Sequence, residues 1–141
     1  MIGNYVFQNL QSLDLDLENS DGTVRIYPEY VRMADKSYPQ CVFSLDNYEP
    51  DIAMDGPVGT ATIDLKIVAV DSTYSGADAL GSQVANALDG TKGIWGDSDG
   101  LEVQGCFLSE MSNDSFVDTD MATILYYVNQ LTFHVVFVVP T

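Results

Sequence analysis

Cations are what this 141-residue chain lacks most: five Lys and Arg stand against 21 Asp and Glu, a formal charge of −16 at pH 7. Nucleic-acid binding draws its affinity from cations that displace counterions from phosphates, and Arg25, Arg32, Lys36, Lys66 and Lys92 are too scattered to form such a footprint. The same imbalance excludes anionic membrane surfaces. One His and two Cys cannot assemble the usual nitrogen and sulfur metal sites, and a Cys-His nucleophile pair would need residues distant in sequence to meet. Long apolar runs are missing too. The longest, Val135 to Val139, is far short of the roughly 20 residues a membrane-spanning helix takes. No basic residue precedes Arg25, so no charged leader is read and the expectation is a soluble, unexported protein. Cys41 and Cys106 fall in strand-like segments, where a solitary Cys is more often a small buried hydrophobe than half of a disulfide, and a reducing cytosol is the default. The sequence contains no Gly-x-Ser-x-Gly and no Gly-x-x-x-x-Gly-Lys, which leaves serine hydrolysis and phosphate binding by a Gly loop without support.

What is present is core-forming material. Hydrophobic residues make up 46% of the chain, with eight Tyr and six Phe, so the acid is carried by a folded domain and not by a disordered tail. The length suits one domain, residues 1–141, able to sustain a core without staples.

Ile2, Val6, Leu10, Leu13 and Leu17 step by three or four, although Leu13-Asp14-Leu15-Asp16-Leu17 also alternates like a strand; the helix is predicted to about Ser12, and Asn19-Ser20-Asp21-Gly22 reads as a turn. Thr23 to Tyr27 is a short strand that Pro28 keeps out of a central ladder. After a loop, Pro39-Gln40 leads into a second short strand, Cys41 to Leu45, followed by an acidic loop from Asp46 to Gly56. The third strand is the clearest, with Ala61, Ile63, Leu65, Ile67 and Ala69 alternating with Thr62, Asp64, Lys66, Val68 and Val70. At about 3.3 Å per residue it outruns a small core, and part of it is expected to project towards a neighbouring subunit. Ser75 with Asp78 resembles a capping box. The helix that follows presents Ala77, Leu80, Val84, Ala87 and Leu88 on one face, and Gly90 supplies its left-handed stop. A Gly-rich connection through Gly93, Trp95, Gly96 and Gly100 leads to a strand from Leu101 to Leu108, with a bulge expected at Gly105. An acidic turn, Glu110 to Asp120, precedes the last strand, which carries Tyr127, Leu131, Phe133, Val135, Phe137 and Val139 on one side. The fold class is therefore α+β: a mostly antiparallel sheet with an N-terminal helix and a second helix after the long third strand, in a single domain.

Carboxylates are the only abundant reactive groups. Paired Asp or Glu working as acid and base in glycoside cleavage is one reading, but no pair is singled out among so many, and a solvated face explains them as well. Asp97-Ser98-Asp99-Gly100 with Glu102, and Asp114 with Asp118 and Asp120, offer hard oxygen ligands without the spacing of the twelve-residue calcium loop. No metal, cofactor or catalytic residue is assigned. His134 sits in a strand, where a structural role is the plainer reading.

Several local phrases, Arg25-Ile26-Tyr27-Pro28, Pro39-Gln40 before a short apolar strand, the long strand through Asp64 to Val70, and Ala87-Leu88-Asp89-Gly90 at the end of a helix, together resemble the tail terminator, or tail completion, proteins of long-tailed phages and gene-transfer particles. The last phrase is similar to that family's Ala-Leu-x-Gly, and the resemblance covers nearly the whole chain. It implies a structural subunit, not an enzyme, made in the host cytoplasm and placed in the virion neck. Such a subunit forms a six-membered ring that caps the head-proximal end of the tail tube and ends tube growth. Its implied partners are further copies of itself, the tail-tube protein and the head connector or neck protein, with DNA passing through unbound. Asp46, Glu49, Asp51 and Asp55 in one acidic loop, and Glu110, Asp114, Asp118 and Asp120 in the other, are then candidate docking or lumen residues. Another neck or tail-tube protein, an unrelated acidic binding module and an acid-dependent hydrolase are the alternatives.

Overall fold

Helices form where apolar residues recur every three or four positions in the computed structural model, which describes residues 2–13, 15, 17, 24–28, 39–53, 56–96, 100–118 and 123–139. The first helix, α1 (Ile2–Ser12), buries Val6 and Leu10. The second, α2 (Tyr74–Leu88), buries Ala77, Leu80, Gly81, Val84, Ala85 and Leu88, one unbroken stripe. Ala85 thus replaces the expected Ala87, which is only half-buried. The cap also differs from expectation. Thr73, held in extended backbone, accepts a hydrogen bond from the Gly76 N–H at 3.1 Å, so the helix starts before Ser75. Gly90, at φ 78°, is the left-handed stop.

Among the described residues six strands form one sheet in the order β1 (Ile26–Pro28), β2 (Gln40–Ala53), β3 (Gly56–Asp71), β6 (Thr123–Val138), β5 (Leu101–Asp118), β4 (Thr91–Trp95). Only β1 pairs in parallel; every other ladder is antiparallel. The class is α+β, as expected, and β1 ends at Pro28 on the sheet edge. Three expectations fail. Most of the acidic stretch 46–56 continues β2 and opens β3, and residues 110–118 continue β5. Thr91 to Trp95, expected as a connection, is a sixth strand whose Trp95 is buried against the core. The expected bulge at Gly105 is present as a register shift between Val103 and Gly105. The turn at 19–22, Thr23 and the connection 29–38 lie outside the described residues.

The period-two pattern of β3 puts Ala61, Ile63, Leu65, Ile67 and Ala69 on the buried face, opposite Phe137, Val135, Phe133, Leu131 and Asn129 of β6. Both helices cover that face, α2 over β3, β6 and β5, and α1 against β1 and β4. The fit at β4 is close: a Cβ at Gly96 would lie 2.5 Å from Gln8 Oε1 and 2.9 Å from Tyr5 Cδ1.

The two central ladders are of unequal length. The β2 and β3 ladder runs to Ala53 opposite Gly56, past the first β3 and β6 pair at Thr60 and Val138. At the other end, β5 and β6 pair out to Asp118 and Thr123, past the last β3 and β6 pair at Asp71 and Tyr127. A hairpin arm therefore projects from each end of the sheet. Cys41 and Cys106 are buried and free, on strands about 14 Å apart, beyond the reach of a disulfide. Burial pushes both thiols up to about 12, the Asp89 charge adding to the effect at Cys106. No described helix is long and apolar enough to cross a membrane.

Candidate functional site: an acidic sheet face

Alternation along a strand sends every second side chain to the face opposite the helices. On β3 these are Thr62, Asp64, Lys66 and Val68. Their register partners are Val136, His134, Thr132 and Gln130 on β6, and Glu49, Asp46, Ser44 and Val42 on β2. On β5 the same face carries Glu102, opposite the exposed Ile94, then Phe107, Glu110, Ser112 and Asp114. Asp46, Glu49, Asp64, Glu102, Glu110 and Asp114 thus share one face with Lys66 as the cation among them. Asp51 joins them at the rim, accepting a hydrogen bond from Thr60 Oγ1 at 2.7 Å.

The centre of this face is a hydrogen-bonded knot. Asn47 adopts φ 53° beside the register shift between Asp46 and Glu49, and that backbone turn brings its amide over β3. Its Nδ2 donates to Asp64 Oδ2 at 2.8 Å, and its N–H donates to Asp46 Oδ1 at 2.9 Å. Asp64 Oδ1 lies 2.6 Å from His134 Nδ1, and Lys66 Nζ lies 3.4 Å from Asp46 Oδ2. The Asn47 hydrogen bond holds the Asp64 carboxyl below its ordinary value of 3.8 against the opposing effect of burial, helped by the His134 bond and the charges of His134 and Lys66. A carboxylate with a depressed value contributes stability above its unfolded-state value and loses it as pH falls through the folded-state one. Asn47→Ala is expected to move the Asp64 midpoint upwards in a carbon-detected NMR titration; an unmoved midpoint would mean that Asn47 does not hold the charge.

No protein-family model matches the chain, and no curated protein matches it. Its architecture does have a counterpart among solved structures. The fold is shared with a virion chain. That chain belongs to a structure described as the virion of native gene transfer agent (GTA) particle, and it superposes with a TM-score of 0.65 at 17% identity, over 94% of this chain and 91% of that one.

The residues singled out from sequence are only partly gathered by this fold. Asp46 and Glu49 lie exposed on β2, with Asp51 half-buried beside them, whereas Glu110 and Asp114 lie exposed on β5, with β3 and β6 between. They are strand residues and not loop residues, which spreads them in a band across the sheet. Asp118 pairs with Thr123 at the far end of β5, and Asp55 and Asp120 lie outside the described residues. Asp64, Asn47, Lys66 and His134 were not singled out as members of a site, and Glu102 was singled out only as a calcium-ligand candidate beside Asp97 and Asp99. The wet-face alternation of β3 marks Asp64 and Lys66 as neighbours on one face; His134 joins them only through the β3 and β6 register. Among the described residues no three His, Cys, Asp or Glu gather as a metal site; Asp97, Asp99 and Asp120 of the calcium candidates lie outside that set. A cavity of about 750 Å³ opens beside α1; its described lining includes Ile2, Phe7, Phe43, Leu45 and Ile63, with Asn4 and Ser44 as polar members and no carboxylate among the described residues.

Proposed function

We propose that this chain is a structural virion subunit that assembles as a six-membered ring on the head-proximal end of a tail tube, ends tube polymerisation and joins the tail to the head connector. The observation that carries this reading is the fold likeness to a gene transfer agent virion chain over nearly the full length of both. A likeness spanning 94% and 91% of the two chains involves the whole subunit and not one common motif. The ring is non-enzymatic, sits in the neck, and contacts the tube protein on one side and a connector or neck protein on the other.

The acidic sheet face gives the net charge of −16 a role in this reading. DNA passing through a neck must not adhere to the wall, and carboxylates facing the channel repel its phosphates. Asp46, Glu49, Asp64, Glu102, Glu110 and Asp114 form the proposed lumen wall.

Labelling the chain in assembled particles and locating the label by electron microscopy tests the placement. Density at the neck is expected; density in the capsid shell or the distal tail would sink it. Native mass spectrometry should find a closed ring, and a stable monomer at high protein concentration would count against the reading.

A further inference from the structure

We propose that the β4 and β5 margin of the acidic face is a docking surface for an extended, arginine-bearing segment of another protein, one guanidinium stacking on Phe107 beside Glu110 and a second meeting Glu102 beside Ile94. Phe107 and Ile94 are 53% and 51% exposed. Phe107 is exposed in one defined place: its ring lies along its own strand over Gly105, where a Cβ would be 2.6 Å from Cε2 and 2.7 Å from Cζ. Only a residue without a side chain leaves that seat open. A ring seated in advance costs an incoming partner little ordering entropy.

The chemistry around the ring decides what it takes. An aromatic face attracts cations, Arg more often than Lys, because a planar guanidinium stacks on the ring while its N–H groups reach carboxylates at the edge. Glu110 is the carboxylate in reach. Phe107 pairs with His134 and Glu110 with Thr132, two residues along β6, which sets them about 7 Å apart on one face. Asp64 lies on the far side of His134, and its oxygens already face His134 and Asn47. Neither Glu102 nor Glu110, both exposed, has an ion-pair partner among the described residues. In a chain of net charge −16, unneutralised carboxylates beside exposed apolar side chains are complemented by a cationic segment. A second copy is a poor source of it: among the described residues Arg25 donates to the Pro39 carbonyl at 2.7 Å and Lys66 lies 3.4 Å from Asp46, and a copy brings its own excess of acid.

Register sets the spacing. Val103 pairs with Phe137, so continuing that ladder by one residue puts Glu102 beside Val138, four residues along β6 from His134 and about 13 Å from Phe107. Residues i and i+4 of an extended segment are also about 13 Å apart and point the same way. A segment laid along β5 with two Arg separated by three residues therefore meets both carboxylates at once. The inference goes beyond the ring reading and needs no ring, and the two are compatible: the acid that repels phosphate on a channel wall attracts a guanidinium.

The test titrates the full chain into a fluorescein-labelled, capped peptide of Thr and Val carrying two Arg at that spacing, followed by anisotropy at about 0.15 M salt, where the screening length is about 8 Å. Phe107→Leu and Glu110→Gln should each weaken binding about two- to fivefold. Asp114→Asn removes the same charge from the same strand and should leave binding unchanged, because Asp114 pairs with Val128, six residues from His134, about 20 Å away. Gly105→Ala keeps the ring and every charge but fills the seat under the ring, and should weaken binding as Phe107→Leu does, with circular dichroism confirming the fold. Lys92, exposed two residues before Ile94, opposes the incoming charge, so Lys92→Gln should tighten binding. A peptide with its two Arg separated by one residue should bind about two- to fivefold more weakly. Equal affinity for both peptides, or equal losses from Glu110→Gln and Asp114→Asn with none from Phe107→Leu, would mean attraction by net charge alone and overturn the proposal. Failure to find a closed ring in native mass spectrometry, with these dependences intact, would sink the ring reading and leave the docking surface standing.

Discussion

Phe133→Ala is expected to lower unfolding stability by about 3–5 kcal/mol, the range for removing a fully buried aromatic ring from a core that cannot collapse around the gap. Phe133 is 0% exposed and sits on β6, with β3 and β5 hydrogen-bonded on either side. Its register partners are Leu65, also 0% exposed, and Leu108. Strands fixed by ladders on both sides cannot close inwards, so most of the lost volume remains as a void. Domains of this size have stabilities of about 5–15 kcal/mol, so the variant would approach the edge of folding at 25 °C. Urea titration followed by circular dichroism measures it. Thr132→Ala, one position along on the opposite face and half-buried, is the control, with an effect within about 0.5 kcal/mol. Equal shifts for the two variants would mean that the helices do not cover the face assigned to them.

The face of β3 could be read from sequence because one rule decided it: a strict alternation has only one way to bury its apolar half. The extent of the strands could not. Asp46 to Ala53 contains Asp, Asn, Glu and Pro, and Glu110 to Asp118 contains Glu, Ser, Asn and Asp, residues depleted in strands or neutral there. Both stretches are strands because a partner already extended, β3 in one case and β6 in the other, offers a ladder across from them, with bulges absorbing the mismatches at Asp46/Glu49, Pro50/Ile52 and Leu108/Glu110. Local preference loses to pairing that a single stretch of sequence does not display. The same gap hid the candidate site. Acidic residues were legible as a count and as two clusters, but their placement on one face depends on the order β2, β3, β6, β5, which is a tertiary fact. Thr91 to Trp95 was missed for a similar reason, since Lys92 and Gly93 dilute the strand pattern and the segment becomes an edge strand by pairing with Leu101 to Cys106.

Gly81→Ala should destabilise the protein although it improves the helix, and the sign is the informative part. Replacing a helical Gly by Ala gains about 0.8–1.0 kcal/mol in propensity. At Gly81 the added Cβ would lie 2.2 Å from Asn129 Oδ1, 2.4 Å from its Cγ and 2.9 Å from its Cβ. The Cβ contact is the decisive one, because rotating the Asn129 side chain cannot move an atom bonded to the β6 backbone. Nor is Asn129 free to turn, being 0% exposed and donating from Nδ2 to Asn113 Oδ1 at 2.6 Å. Relief therefore requires α2 to lift from the sheet, and Ala77, Leu80, Val84 and Leu88 lift with it. Overpacking of this kind costs about 1–3 kcal/mol and occasionally more, so the net expectation is a loss in urea titration. Gly76→Ala separates the two contributions. Its added Cβ meets Asp71 Oδ2 at 2.1 Å, Asp71 Cγ at 2.7 Å and Thr73 Oγ1 at 2.8 Å; moving these rim side chains costs the Thr73 cap, about 1 kcal/mol, but does not lift α2 from the sheet, so the loss there should be smaller. Asn129→Ala combined with Gly81→Ala should cost less than the sum of the two single changes, since contacting residues couple. Additive costs would place the strain elsewhere than between α2 and β6, and a stabilised Gly81→Ala would mean that the helix does not approach the sheet as closely as Gly81 permits.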